Sequence, residues 1–184
     1  MAVIDRFGLK DGSVDLREEI VSIDQLALSK SKIQYHTFDT ELSPDSMVVQ
    51  TSAPTANNWK VSVKDLTMDD NSVAYKVGNK PETGNTFDPD HLEYNHLILD
   101  ARDLSYSSDQ IKVSVKAFSA TDRNDFAITR FETDFSMDQH SVTAKKLKAA
   151  TANSSIDADF NIQYSSMAIL MDSMQFSNLN LDLR

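Results

Sequence analysis

The sequence predicts an all-β fold: an elongated, curled, mostly antiparallel sheet built from bulged hairpin repeats, with a β-solenoid as the alternative. Three observations predict it. Apolar and polar residues alternate over long stretches, helical periodicity is weak throughout, and one unevenly spaced apolar pattern recurs along the chain.

The alternation is clearest in "KVSVKDLTM" (60–68), "QIKVSVKAFSA" (110–120), "FETDFSM" (131–137) and "DADFNIQY" (157–164). Side chains in a strand point to opposite faces in turn, so each stretch reads as a strand with one buried and one wet side. "TAKKLKAATA" (143–152) has the best helix propensity, but it also alternates and reads as a strand. Glycine is scarce, at four residues, so turns fall to Asp, Asn, Ser and Lys in "SKS", "DDNS", "DRND" and "MDQH". Two stretches interrupt the pattern. One spans 41–58, with a short strand expected at 47–49. The other spans 77–90, a Gly- and Pro-containing loop between repeats. Neither separates two domains, so residues 1–184 read as a single β-repeat segment of a larger protein.

The repeat links residues 21–35 to residues 61–75. Ile23, Leu26, Leu28, Ser31, Ile33 and Tyr35 reappear as Val63, Leu66, Met68, Asn71, Val73 and Tyr75. With residues 29–30 as a hairpin tip, Leu28 faces Ser31 and Leu26 faces Ile33. A bulge at Asp24–Gln25 then brings Ile23 opposite Tyr35. The second copy takes its bulge at Lys64–Asp65. A third copy places Tyr94, Leu97, Leu99, Leu104 and Tyr106 at the corresponding positions. Repeated bulges would curl the sheet around its apolar side. In the solenoid alternative, Ser31 and Asn71 mark corners between parallel strands.

Composition narrows the function. The net charge is −10 and the pI is near 4.7, which disfavours nucleic acid and anionic lipid surfaces as partners, since both need clustered Lys and Arg. There is no cysteine, hence no disulfide, thiol catalysis or cysteine-based metal site. No apolar stretch is long enough to span a bilayer, and the N-terminal residues lack the apolar core of a signal peptide. Nucleotide-binding glycine motifs and the nucleophile elbow are missing, and His36, His91, His96 and His140 do not fall at HExxH spacing. The acidic runs "MDDNS" (68–72) and "FDPDHLE" (87–93) read as turn chemistry rather than calcium loops. Trp59 and the five tyrosines read as cross-strand packing, with a carbohydrate platform as the alternative. No catalytic residue, cofactor or metal ligand is expected.

Residues 91–164 resemble the TamB/AsmA-like family of bacterial envelope proteins. Three parts carry the resemblance: the spaced apolar residues from Tyr94 to Tyr106, the strands of 111–137 around the charged turn "DRND", and "AATANSSIDADFNIQY" (149–164). Residues 4–35 are similar to the repeats that precede this order in such proteins. The resemblance implies a non-enzymatic segment of a long periplasmic protein anchored in the inner membrane. Its curled sheet would hold an apolar trough for moving phospholipid or for assembling outer-membrane proteins. The implied partners are phospholipid acyl chains and, through the full-length protein, an outer-membrane barrel assembly partner. If the trough is open, Ile23, Leu26, Leu28, Ile33, Leu66, Val73, Leu97, Leu99 and Leu104 line it; if it is closed, they are packed core. Two readings stay beside this one: a surface or adhesive β-repeat module binding carbohydrate or protein, and an enzyme on a β-helix.

Overall fold

A computed structural model describes residues 1–37, 58–78, 81–83, 88–165 and 178–183, and every regular element among them is a β-strand. The strands are β1 (Ala2–Val3), β2 (Arg6–Asp15), β3 (Ile20–Ser29), β4 (Lys32–Thr37), β5 (Lys60–Val77) and β6 (His91–Tyr106). They continue as β7 (Gln110–Asp122), β8 (Ala127–Asp138), β9 (Ser141–Thr151), β10 (Ser155–Gln163) and β11 (Asn178–Leu183). All belong to one open, mostly antiparallel 11-stranded sheet, the fold class the alternation predicts. The expected strand at 143–152 is β9; of the loop expected at 77–90, Val77 ends β5 and the described residues 78, 81–83 and 88–90 lie between β5 and β6. The interruption at 41–58, with its expected strand at 47–49, lies outside the described residues except for Asn58.

The pairing at the start of the chain differs from the hairpin expected there. β1 and β2 pair antiparallel with β4 and β3 in one register, from Ala2↔Ile33 through Arg6↔Ser29 to Asp15↔Ile20. The hairpin tip is therefore at residues 16–19. There Asp15 Oδ1 accepts the Arg17 and Glu18 amides at 2.9 and 3.0 Å, and Glu19 takes φ 55°. Residues 29–30 are not a tip. β3 and β4 lie end to end along β5 and run parallel to it, with Ile23↔Val63, Leu26↔Leu66, Leu28↔Met68, Ile33↔Val73 and Tyr35↔Tyr75. The repeat is lateral: each residue sits beside its own counterpart. The spacing sets which face a side chain takes, and a hairpin and a lateral repeat use the same faces, so spacing alone does not choose between them.

The bulges expected at Asp24–Gln25 and Lys64–Asp65 are also replaced. Register holds across them on both sides: Lys10↔Gln25 and Gly12↔Ile23, Ile23↔Val63 and Gln25↔Asp65, Val63↔Leu104 and Asp65↔Arg102. The strands instead kink together. Asp11 and Asp103 adopt φ 50° and 52° on one line, and Lys30, Asp70 and His96 adopt 50°, 50° and 52° on a second. Asp and His tolerate the left-handed region better than most residues, which suits a chain with so little glycine. Each kink adds one residue to the alternation in neighbouring strands at once and so returns apolar residues to the same side. The turns expected at "SKS" and "DDNS" are these kinks. "DRND" and "MDQH" are true turns, where the Asp122 and Asp138 carboxylates each accept two amides. Register shifts of the bulge type do occur, in the pairs from β5–β6 through β9–β10.

The third copy of the pattern lies on β6, which runs antiparallel to β5, so Leu104 meets Val63 and Leu99 meets Met68. Its spacing reads almost alike in both directions, and a sequence comparison does not sense polarity. From β5 to β11 every pairing is antiparallel, so the single parallel step does not extend into a solenoid.

Burial follows from a single layer. Among the described residues the buried apolar side chains are mostly small: Ala74, Ala101, Ala120, Ala144 and Ala158, with Val63, Leu97 and Tyr164. The larger apolar side chains are mostly half-buried or exposed, because no helix or second sheet among the described residues covers the apolar face.

Candidate functional site

Cross-strand partners project to the same side of a sheet. One line of partners runs Val14, Val21, Val61, Tyr106, Ile111, Met137, Val142 and Ile162, one residue from each strand it crosses. A second runs Phe7, Leu28, Met68, Leu99, Phe118, Phe131, Ala149 and Ile156. Both lines are apolar at every position. Within the second, the Phe118 and Phe131 rings meet edge to face at 6.1 Å.

The nine residues expected to line a trough fall on this face. Ile23, Leu26 and Leu28 stand on β3, Ile33 on β4, Leu66 and Val73 on β5, and Leu97, Leu99 and Leu104 on β6. Register joins them as Ile23–Val63–Leu104, Leu26–Leu66–Ala101, Leu28–Met68–Leu99 and Ile33–Val73–Tyr94, with Leu97 beside Asn71. Leu97 is buried and the other eight are half-buried. The face extends well past them, over Phe7 and Val14 on one side and Phe118, Phe131 and Met137 on the other. The alternation in 110–120 and 131–137 carried that signal.

Polar side chains fix the geometry of the face. Asn71 is fully buried at the second kink line. Its Oδ1 accepts the Ser31 amide at 2.9 Å, and its Nδ2 donates to the Leu28 carbonyl at 2.9 Å. The buried Ser31 hydroxyl donates to the Ser29 carbonyl at 2.9 Å and accepts the Asp5 amide at 3.2 Å. The kink breaks the backbone ladder, and these two side chains satisfy the groups it leaves open. Sequence reasoning read "MDDNS" as a turn and missed this role. Beside the kink, Asp70 Oδ1 meets His96 Nδ1 at 2.9 Å, on the exposed surface.

One end of the sheet carries a charged clasp. Asp88 and His91 are buried, with Asp88 Oδ2 3.0 Å from His91 Nδ1. Asp88 also accepts the Thr83 and Asp90 amides at 3.0 and 3.1 Å, and Arg123 lies 3.6 Å away. The Thr83 amide foremost, then the Asp90 amide and His91, hold the Asp88 carboxyl well below the usual carboxylate range against the opposing effect of burial. Arg123 donates to the Thr83 carbonyl at 2.8 Å and pairs with Glu82 at 3.2 Å, and Lys76 pairs with Glu82 at 3.0 Å. At the other end, an open recess of about 440 Å³ has Tyr106, Ile111 and Met137 on its walls and Asp109, Asp138 and His140 around it. Tyr164, buried beside it, donates its hydroxyl to the Asp138 carbonyl.

Among the described residues no three His, Asp or Glu side chains converge to hold a metal ion, and no helix is long and apolar enough to cross a membrane. The described residues present a broad apolar face with a charged cluster at one end of the sheet. The chain matches no family model, no curated protein and no solved structure with which it was compared.

Proposed function

We propose that the chain is a non-enzymatic segment of a periplasmic, TamB/AsmA-like envelope protein, and that its apolar sheet face carries phospholipid acyl chains. The observation that supports this reading is the pair of unbroken apolar lines crossing an open sheet, most of whose large side chains stay half-buried or exposed. Apolar area left facing water is costly, and an acyl chain laid across the strands relieves that cost without any polar recognition group. Adjacent strands lie about 4.8 Å apart, so a chain extended along such a line touches a new apolar side chain at each step. In this reading the inner-membrane anchor and any contact with an outer-membrane assembly partner belong to other parts of the parent protein.

The carbohydrate-binding alternative draws on Tyr35, 60% exposed and stacked on Tyr75 at 6.0 Å. Of the remaining tyrosines, half-buried Tyr94 stands opposite Val73, diagonal to Tyr75, and the other two lie away from the pair. Tyr164 is buried at a turn, and Tyr106 stands in the first apolar line.

The test is native mass spectrometry of the purified chain with extraction of co-purifying lipid, repeated on Leu66→Glu. The wild type is expected to retain phospholipid. Leu66→Glu is expected to stay folded by circular dichroism and to lose the lipid, because its half-buried site lets the carboxylate reach water while breaking the apolar line. A folded Leu66→Glu protein that retains lipid sinks the proposal. An unfolded one shows that the face is closed core.

A further inference from the structure

The recess of about 440 Å³ lies where the first apolar line meets the turns. Tyr106, Ile111 and Met137, three consecutive members of that line, form its wall. Its rim comes from two turns, with Asp109 between β6 and β7, and Asp138, Gln139 and His140 between β8 and β9. An apolar wall and a polar rim in one cavity suit a ligand that is itself amphiphilic.

The rim carries negative charge that no neighbouring Lys or Arg offsets. Elsewhere on the sheet carboxylates meet basic side chains: Asp134 with Lys146 at 2.8 Å, Glu132 with Arg130 at 2.7 Å and Asp88 with Arg123 at 3.6 Å. At the recess, Asp109 accepts Gln139 Nε2 at 2.6 Å. Asp138 accepts the His140 and Ser141 amides, each at 2.8 Å, and the Ser141 hydroxyl at 3.1 Å. These neutral donors hold two carboxylates in place and leave their charge. No Lys or Arg is among the described residues that line the recess.

We propose that the recess selects the headgroup of a zwitterionic aminophospholipid, of the phosphoethanolamine type, over an anionic glycerol headgroup. The ammonium lies between the Asp109 carboxylate and the ring of Tyr106, which is 41% exposed, so that a full charge and the negative face of a ring act on it together. The phosphate lies toward the exposed His140 and Ser108, which supply hydrogen-bond donors to the rim. An anionic headgroup brings a phosphate with no ammonium to balance it, toward two carboxylates in a chain of net charge −10. From the wall the acyl chains continue along the first apolar line, toward Val142 and Ile162 on one side and Val61 and Val21 on the other. The inference rests on the acyl-chain reading and names the headgroup which that face accepts.

The test is native mass spectrometry of the full chain, titrated with dioctanoyl phosphatidylethanolamine, dioctanoyl phosphatidylglycerol, dioctanoylglycerol and free phosphoethanolamine. The wild type is expected to bind the ethanolamine lipid about fivefold more tightly than the glycerol lipid, the size of one ammonium–ring contact. Asp109→Asn, at an exposed position where the amide oxygen still accepts Gln139, is expected to abolish most of that preference. Asp125→Asn removes the same charge from an exposed turn at the far end of β7 and is expected to keep it. Equal binding of the two lipids, a preference that survives Asp109→Asn, or an equal loss in Asp125→Asn would each overturn the headgroup site. Free phosphoethanolamine that binds as tightly as the lipid would overturn it in favour of a site for a soluble zwitterion. Binding of dioctanoylglycerol without discrimination between the phospholipids sinks the headgroup site and keeps the acyl-chain reading. Binding of none of the three lipids sinks both.

Discussion

Asn71 is the residue on which the parallel pairing turns. Its carboxamide spans the gap that the kink opens, accepting a hydrogen bond from the Ser31 amide on one side and donating one to the Leu28 carbonyl on the other. In a site with no access to water, both groups lose their partner when the carboxamide is removed. We expect Asn71→Leu to cost about 3 kcal/mol, near the sum of two orphaned backbone groups less the gain from added apolar contact. Urea unfolding followed by circular dichroism measures it, and a loss below about 1 kcal/mol would mean that the ladder is dispensable. The position was visible in the sequence as the polar member of an apolar repeat, Ser31 in one copy and Asn71 in the other. Its role was not visible. A small polar residue after a left-handed neighbour looks the same in a hairpin loop as in a strand kink, and only burial tells them apart.

At the scale of the element, the β5–β6 connection shows how a polar cluster holds a loop to a sheet. Asp88 collects two amides, His91 and Arg123, and its carboxyl titrates well below the usual carboxylate range. A group whose pKa is lower in the folded state adds stability that is fully present above the ordinary carboxylate range and is lost as the pH falls below it. Acid should therefore weaken the clasp. Asp88→Asn is expected to flatten the acid limb of the stability–pH curve while lowering stability at neutral pH, and thermal unfolding from pH 7 to pH 2 reads both. A variant with an unchanged acid limb would place the acid-sensitive group elsewhere. The sequence "FDPDHLE" was legible as turn chemistry, and that reading describes Asp88. The burial of the His91–Asp88 pair under Arg123 was not legible, because Arg123 arrives from the β7–β8 turn, far along the chain.

Taken whole, the described residues form one layer. A domain with two packed layers removes its apolar faces from water, whereas here the apolar side remains partly wet and the fully buried core is largely alanine. Unfolding then exposes less new apolar surface than it does in a two-layer domain. We expect a heat-capacity change below the roughly 12–15 cal/mol/K per residue typical of globular proteins, measured by differential scanning calorimetry. A value within that range would mean that the apolar face is covered in solution. The sequence by itself determined the fold class, most strand positions and the apolar identity of the sheet face. Period-two alternation and the three-residue steps at the kinks are local properties, set by where each side chain must point. Tertiary structure alone decided which strands are neighbours. The repeat between residues 21–35 and 61–75 is satisfied equally by hairpins and by a parallel pair. The choice came from the hairpin at 16–19, which puts β2 on the antiparallel side of β3, and from the Ser31–Asn71 contact, which joins residues forty apart. Register within one strand is written in its own residues. Partnership between strands depends on backbone groups that every residue shares, and these become selective only once the chain has folded around them.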